Sequence, residues 1–386
     1  MSIRALLFDF DGLILDTESP AFRSWQETYR AHGAALTLER WSAAIGTLEG
    51  FDAFADLERA VGRPLDRGAV RDVRRARKDE LVEQEDASPG VREWLAEASR
   101  RGVAVAIVSS DTRGWVMGHL RRLGLLDGWH SFHCADGNAA IAKPRPDLYV
   151  TAMRAIGVGS DEAVAFEDSP NGIAAAKAAG LFCVAIPNPV TVTLDLSAAD
   201  LVVPSLEAIR PADLLDQPPD EEPEWMDVVD DEDRVVGVAR RDTVARERLR
   251  HRGVAILIRD GSGSVYVHRR SMTKPFAPGA YDFVVGGAVA AGETYDDAAR
   301  RELQEEVGIT DTELRPLFVH DHKDVAPSRM VVYEARWDGP IRLDPREISW
   351  GAFLTPAEVG RRLHEWSFVA GEDLWRQLEV AASLLS

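Results

Sequence analysis

Between residues 102 and 187, short apolar runs alternate with Ala-rich segments of helical spacing, and this constrains the fold more than any other feature of the chain. The runs "GVAVAIVSS", "SFHCAD", "AVAFED" and "LFCVAIP" are rich in β-branched or bulky residues and are bounded by polar or turn-forming ones, as buried strands are. "WVMGHLRRLGL" and "NGIAAAKAAG" supply helices between them. Strand–helix–strand alternation predicts a parallel sheet with helices on both faces, an α/β fold. A further run, Ile3–Phe8, opens the chain and stops at "DFDG". Side chains at i and i+2 leave the same face of a strand, so Asp9 and Asp11 should project together from its end. Two carboxylates placed there repel one another and are poorly solvated, so a bland core has no use for them. A divalent cation, or a reaction that needs one carboxylate as nucleophile and one as acid, would account for both.

The texture changes twice along the chain. Before Ser88, "AFRSWQETYRAHG", "ERWSAAIG" and "VRDVRRARKDELVEQ" have helical spacing and no strand signal. They predict a helical insertion over 16–87, within a core formed by 1–15 and 88–214. In that insertion Arg71, Arg74, Arg75 and Lys78 recur at the spacing of one helix face, which reads as a solvated face in preference to a phosphate-reading patch. Residues 215–224 contain the Pro-rich acidic stretch of a linker, and 216–233 carry ten acidic and no basic side chains. From 225 to 386 the pattern is mixed α+β. "WMDVVDDEDRVVGVAR" reads as a hairpin, "GVAILIRD" and "SVYVHRR" as strands, and "FLTPAEVGRRLHEW" and "AGEDLWRQLEVAASLL" as closing helices.

A net charge of −19 argues against a nucleic-acid backbone or an anionic membrane as a main partner. If phosphorylated substrates bind, local cations and metal ions must reverse that field. The only cysteines are Cys134 and Cys183, so no disulfide framework is expected. No apolar stretch approaches the roughly 20 residues of a membrane span. The first strand begins too early for a signal peptide, and a cytoplasmic location is expected.

The first half resembles the haloacid-dehalogenase-like (HAD) hydrolase superfamily through four motifs in order. Asp9, Asp11 and Gly12 match D-x-D-G; Ser109 ends an apolar strand; Lys143 precedes a Pro-rich turn; Glu167 and Asp168 form an acidic pair after a strand. The resemblance implies a doubly wound, Rossmann-like parallel sheet with 16–87 as a helical cap. It implies Asp9 as the nucleophile forming an aspartyl-phosphate and Asp11 as general acid and base. It implies Mg²⁺ held by Asp9, the Asp11 carbonyl and Asp168, with Glu167 in or behind that shell, and Ser109 and Lys143 on phosphoryl oxygens. The superfamily's dehalogenases lack an acid at the position of Asp11, so phosphoryl chemistry is expected. His119, His130 and His133 match no metal spacing and read as structural.

Residues 287–309, "GAVAAGETYDDAARRELQEEVGI", match every fixed position of the Nudix motif: Gly287, Glu293, Arg301, Glu302, Leu303, Glu305, Glu306, Gly308 and Ile309. A helix from about Thr294 to Val307 would place Glu302, Glu305 and Glu306 on one face. With no lysine nearby in sequence they read as three unpaired carboxylates, suited to several Mg²⁺ or Mn²⁺ ions. Those ions would neutralise a diphosphate and activate water. The resemblance implies a Nudix fold, an α/β/α sandwich, with Glu302, Glu305, Glu306 and the Gly287 carbonyl as ligands. Arg301 would pair with Glu293, and Arg301, Glu293 and Gly308 would be structural. The general base would be one of these glutamates, Glu305 or Glu306 among them, or a residue on a later loop; Glu347 and "HDH" at 320–322 are candidates there that otherwise read as structural or surface residues.

Upstream, 267–287 resembles the branch containing isopentenyl-diphosphate isomerase, but the isomerase's cysteine in this region and its following histidine are absent. A diphosphate hydrolase is therefore expected, and His268, Arg269, Arg270 and Lys274 could meet a substrate phosphate or, equally, form a basic strand edge. Together the resemblances imply a bifunctional Mg²⁺-dependent hydrolase acting on small phosphorylated metabolites, a phosphomonoester and a nucleoside diphosphate derivative, with reactions that could run consecutively. The alternatives are a sugar phosphomutase in the first half, disfavoured by the absence of a basic residue in "IGTLEG" (45–50), and a Nudix domain serving as a ligand-sensing module. An interaction scaffold with incidental cleavage is a further alternative.

Overall fold

The computed structural model describes residues 3–45, 52–216, 225–274, 277–322 and 327–384. The "GTLEG" segment and the stretch 217–224 fall outside the described residues. The chain divides into two compact units, Met1–Pro223 and Glu224–Ser386.

In the first unit, β1 (Ala5–Phe8), β2 (Ala104–Ser109), β3 (Ser131–Cys134), β4 (Ala163–Glu167), β5 (Phe182–Ala185) and β6 (Leu201–Val202) form a parallel sheet in the order β3-β2-β1-β4-β5-β6. Helices α1 (Glu18–Ala31), α2 (Leu38–Ile45), α3 (Ala53–Val61) and α4 (Arg67–Val82) all precede α5 (Val91–Arg101). They have a small core of their own around Trp25, Tyr29, Leu36 and Leu57. The two ends of that excursion meet where Leu15 bridges Ala87 and the Ser88 N–H donates to the Ile14 carbonyl at 2.9 Å. Helices α6 (Arg113–Arg122), α7 (Asp147–Ile156), α8 (Pro170–Ala178) and α9 (Pro211–Leu215) complete the unit.

Alternation along β1 explains why helices cover both faces. Ala5 and Leu7 pack with Leu148, Tyr149 and Ala152 of α7 and Ile173 of α8. From the other face Phe8 stacks on Phe166, with ring centroids 4.6 Å apart, and Trp94 of α5 meets Phe166 edge-on. Strand order reverses between β1 and β4, where Phe8 lies opposite Phe166. Ligands of open α/β sheets bind beyond the carboxyl ends of strands at such a reversal. Asp9 and Asp168 follow directly on those two ends.

The second unit contains β7 (Trp225–Val229), β8 (Val235–Arg240), α10 (Arg241–Glu247), β9 (His251–Arg259), β10 (Val265–Arg270), β11 (Tyr281–Asp282) and β12 (Val285–Ala288). After these come α11 (Tyr295–Val307), β13 (Leu314–His322), β14 (Ser328–Arg336), β15 (Ile348–Leu354), α12 (Pro356–Arg362) and α13 (Glu372–Leu384). The sheet runs β11-β10-β9-β14-β13, with β7 and β12 also on β9 and β15 on β10; among the described strands of this unit only β9 and β14 run parallel. Val254, Ile256 and Ile258 of β9 pack under Ala298, Leu303 and Val307 of α11. The intervening Ala255 and Leu257 pack toward Val359 of α12 and Leu374 and Trp375 of α13. The sheet thus lies between helices, an α/β/α sandwich. Strands β9 and β10 pair at Val265–Arg259 and then diverge, which opens a wedge in the sheet.

Candidate active sites

At the end of β1, Asp9 is buried and ion-paired with Lys143, whose Nζ also lies 2.6 Å from Glu167 Oε1. Tyr149 donates its hydroxyl to the same Glu167 oxygen at 2.6 Å. Asp168 accepts from Asn188 Nδ2 at 2.8 Å. Asp11 is held at both oxygens: Trp115 Nε1 donates to Oδ1 at 2.9 Å and Ser109 Oγ to Oδ2 at 3.3 Å. Ser109 also accepts from the Asp111 N–H at 3.0 Å, so its hydroxyl here is engaged with Asp11.

Burial dominates the electrostatics. It lifts Asp9 to about 7, with Glu167 adding to the rise and Lys143 opposing it. Burial and the nearby Asp9 lift Asp11 to about 6. Asp168 is pushed well up by burial, then by Asp9 and Glu167. Burial pulls Lys143 down, but Asp9 and Glu167 outweigh it and hold the ammonium above its ordinary range. One lysine facing this many carboxylates leaves positive charge in deficit.

Among the described residues, Asp9, Glu167 and Asp168 form the one group that brings three such ligand atoms within 4.8 Å of one another. Two observations fit this cluster to a hard divalent cation. Glu167 Oε2 is buried with no hydrogen-bond partner. The space beside the carboxylates is reserved by glycines: a Cβ on Gly172 would stand 1.8 Å from Glu167 Oε2, and one on Gly12 (φ +82°) would stand 2.1 Å from Asp168 Oδ2. All-oxygen donors of this kind suit Mg²⁺.

Trp115, Tyr149 and Asn188 escaped sequence reasoning, as did Glu18, which burial lifts to about 7 beside Lys78. Trp115 lies in α6, outside every motif, and only its position near "SSD" hinted at a role. The basic face of α4 is not simply solvated. Arg71 and Arg74 lie over the rings of Phe54 and Trp25, and Lys78 Nζ sits 5.1 Å from the centre of the Trp115 ring.

In the second unit Thr294 caps α11, its hydroxyl accepting from the Asp297 N–H, and Gly308 ends it at φ +70°. A Cβ on Gly308 would meet Arg342 Cβ at 2.9 Å. Glu302 and Glu306 are buried, while the Glu305 side chain is 58% exposed. The expectation of unpaired glutamates is corrected here. Arg301 grips both Glu293 oxygens at 2.9 and 3.0 Å, and its remaining amino group reaches Glu302 at 2.8 Å and Glu305 at 3.3 Å. Its long fork spans residues one and four positions ahead on the helix, which a search for lysines could not reveal. Lys274, distant in sequence, also bears on Glu306 electrostatically. Burial, then Glu302, lifts Glu306 to about 7 against Lys274 and Arg270. Burial likewise raises Glu302, against Arg301.

Gly287 on β12 faces this helix, and a Cβ there would stand 2.4 Å from Glu302 Oε1. The missing side chain lets the buried carboxylate approach the strand. That cradle and the all-oxygen donor set fit a divalent ion, although the three glutamates do not converge as the first cluster does.

The four basic candidates separate. Arg269 is exposed on the opposite face of β10 from His268 and Arg270, where its guanidinium lies over Tyr281 and donates to the Gly279 carbonyl. His268 is 2% exposed, and burial pulls it down to about 3, so it is neutral and brings no positive charge to a phosphate. Lys274 forms an ion pair with Glu347, which ties up that base candidate. His320 and His322 lie on β13, a terminal strand in the sheet path, with His320 near Gln377.

Two carboxylate clusters, one beyond the strand ends of a parallel sheet and one on a helix face, have the chemistry suited to metal-assisted hydrolysis of phosphorylated compounds. Comparison with known proteins agrees. The haloacid dehalogenase-like hydrolase family matches residues 3–180, and the Nudix domain matches 249–372. YhcW of Bacillus subtilis, a phosphatase by name, is 42% identical over 55% of this chain and 97% of its own length. The uncharacterized Nudix hydrolase SCO1686 of Streptomyces coelicolor is 45% identical over 38% of this chain and 82% of its own. A crystal structure of CbbY from Rhodobacter sphaeroides in complex with phosphate aligns with 56% of this chain and all of its own, at 29% identity and a TM-score of 0.45. The chain belongs to the haloacid dehalogenase-like hydrolases through its N-terminal unit and to the Nudix hydrolases through its C-terminal unit. Among the described residues no helix is long and apolar enough to cross a membrane.

Proposed function

We propose that the chain is a bifunctional Mg²⁺-dependent enzyme, a phosphomonoesterase joined to a diphosphate hydrolase, whose second activity feeds the first. The observation that supports this most is the gathering of Asp9, Glu167 and Asp168 at the strand-order reversal, beside an Asp11 held at both oxygens. Asp9 attacks phosphorus while Asp11, protonated, gives its proton to the departing alkoxide. Asp11, now ionised, takes a proton from the water that cleaves the aspartyl-phosphate. A value near 6 suits a group that must act as acid and then as base around neutrality. Lys143 opposes the effect of burial on Asp9, favouring its ionised form, and offsets its repulsion from a phosphate dianion. Mg²⁺ held by Asp9, Asp168 and the Asp11 carbonyl, with Glu167 behind, would neutralise the phosphoryl oxygens.

In the C-terminal unit Glu302, Glu305, Glu306 and the Gly287 carbonyl would hold Mg²⁺ or Mn²⁺, and Arg301 would keep its grip on Glu293 while releasing the other two glutamates. Hydrolysis of a nucleoside diphosphate derivative leaves a phosphomonoester, the substrate class of the first site. One observation favours a second reading, a ligand-sensing C-terminal unit: Arg301 already neutralises Glu302 and Glu305.

The test is a panel of diphosphate derivatives given to wild type, Asp9→Asn and Glu306→Gln. The relay predicts monoester accumulation in Asp9→Asn and intact diphosphate in Glu306→Gln. It fails if no product of the second site is consumed by the first. Cleavage absent in wild type, with phosphatase activity altered by the same diphosphates, would mean a sensor.

A further inference from the structure

The wedge between β9 and β10 holds a cavity of about 210 Å³, and Glu306 and Gly287 stand in its wall. It therefore adjoins the carboxylates of α11. Much of the lining is apolar, with Val254, Val284 and Met330 among it, and the polar groups include His268, Arg270 and Asp282. A mostly apolar concavity with a few convergent polar groups is the common form of a small-molecule site.

His268 gives the cavity its character. The residue is 2% exposed, and its Nδ1 has no hydrogen-bond partner. A buried unpaired polar atom costs about 1–3 kcal/mol, so native structures seldom leave one without a reason. Asp282 lies directly opposite His268 in the β10–β11 register, and its Oδ1 accepts from the N–H groups of Phe283 and Val284 at 2.9 and 3.3 Å. A neutral imidazole and a carboxyl fixed on its backbone thus face the same small space. Neither is a phosphate clamp. The volume is about seven times a water's share of the liquid, ~30 Å³. That admits one ring or a short branched chain, and not a whole nucleoside.

We propose that this cavity is the specificity pocket for the group carried by the diphosphate, and that it takes a compact, uncharged group bearing a hydrogen-bond donor and acceptor, anchored on His268 and Asp282. The proposal rests on the reading of the C-terminal unit as a diphosphate hydrolase. Such chemistry belongs equally to a single-ring nucleobase and to a short polyol. A site built to hydrogen-bond its ligand discriminates strongly against an analogue lacking the polar group, because its own buried atoms then stay unpaired.

The test uses the full chain carrying Asp9→Asn, so that monoester products accumulate, with Mg²⁺. Glycerol diphosphate is compared with propyl diphosphate, and uridine diphosphate with adenosine diphosphate. The pocket predicts a preference of about tenfold or more in kcat/KM within at least one pair, for the polyol over the alkyl chain or the single ring over the double. The pair that shows it identifies the source. His268→Phe keeps a ring and removes both nitrogens, and should bring that preference to about one. Gly253→Val fills the cavity from β9, where a Cβ would stand 3.3 Å from Met330 Cγ, and should lower kcat/KM for the preferred compound about tenfold. If neither variant folds, the ¹⁵N resonance of the His268 ring decides: it shifts when the preferred compound is added, and an unmoved signal overturns the pocket. Equal rates for all four compounds, lost in Glu306→Gln, would leave the hydrolase standing and overturn the pocket. Cleavage of none would overturn both.

Discussion

Trp115 donates its indole N–H to Asp11 Oδ1 at 2.9 Å, and no sequence motif joins the two residues. The indole comes from α6 and the carboxylate from the turn after β1, so the bond ties two elements across the sheet edge. It also helps to hold Asp11 down: burial raises the carboxyl, and this hydrogen bond is the largest of the opposing effects. Lys78 of α4 lies over the same ring. Trp115 is thus placed to orient the acid and base of the first site. Trp115→Phe keeps most of the packing and removes the donor. A hydrogen bond to a charged group contributes about 1.5–3 kcal/mol, so kcat on a simple aryl phosphate should fall roughly ten- to a hundredfold with KM nearly constant. An unchanged kcat would make the indole mere packing.

Gly172 makes a different kind of contribution, through an absent side chain. It sits in the first turn of α8, where alanine would ordinarily favour the helix by about 1 kcal/mol. Here the added Cβ would stand 1.8 Å from Glu167 Oε2 and 2.1 Å from its Cδ. Glu167 is fully buried between Tyr149 and Lys143 and has nowhere to retreat. Overpacking of this kind costs about 1–3 kcal/mol. Gly172→Ala should therefore lower Tm by several degrees and raise the Mg²⁺ concentration needed for half-maximal phosphatase activity. Calorimetry and a metal titration check both; a rise in Tm would show that the carboxylate can move aside.

These two residues mark where sequence reading stops. Asp9, Asp11, Glu167, Asp168 and the glutamates of α11 were legible because strand ends and helix faces fix their directions from local spacing alone. Residues that hold those groups in place arrive from elsewhere in the chain. Tyr149 reaches Glu167 from α7, and Asn188 reaches Asp168 from the loop after β5. Neither has a periodic or compositional mark. Arg301 was legible as the partner of Glu293, but its hold on Glu302 and Glu305 depends on side-chain reach. His268 looked like part of a basic strand edge, and only its burial shows it to be neutral. The α/β class followed from the alternating pattern, whereas the wedge between β9 and β10 depends on strand pairing that no local pattern encodes.

The first cluster should make the metal-free protein lose stability as pH rises. Asp9 is lifted to about 7 and Asp11 to about 6, chiefly by burial, and Asp168 moves the same way. A carboxyl raised in the folded state keeps a proton that the unfolded chain has shed, so stability declines from about the unfolded value near 4 up to the folded one. Lys143 is raised too, but its contribution changes only above its ordinary value of ~10.4, outside this window. In EDTA, the calorimetric transition of the first unit should fall as pH rises from about 4 to about 7. Mg²⁺ should shrink that fall, and Asp168→Asn should flatten it without metal. A flat profile in EDTA for wild type would mean that these carboxylates are not strained by burial.

Glu306 allows stability and activity to be separated in the second unit. Without metal its carboxylate is disfavoured by burial and by Glu302, with Lys274 and Arg270 offsetting part of the cost. Glutamine has nearly the same shape and no charge. Glu306→Gln should therefore abolish diphosphate cleavage yet raise the unfolding temperature in EDTA above neutral pH, where the wild-type carboxylate is ionised. Glu305→Gln, at an exposed position, should also lose cleavage while changing stability by no more than about 0.5 kcal/mol. Unfolding followed by calorimetry, beside cleavage assays on both variants, distinguishes the roles. If Glu306→Gln instead lowers the unfolding temperature as far as a core truncation would, Glu306 serves as the counter-charge of Lys274 and Arg270. Its carboxylate would then be structural, and the place of a metal ligand would have to pass to Glu302 and Glu305.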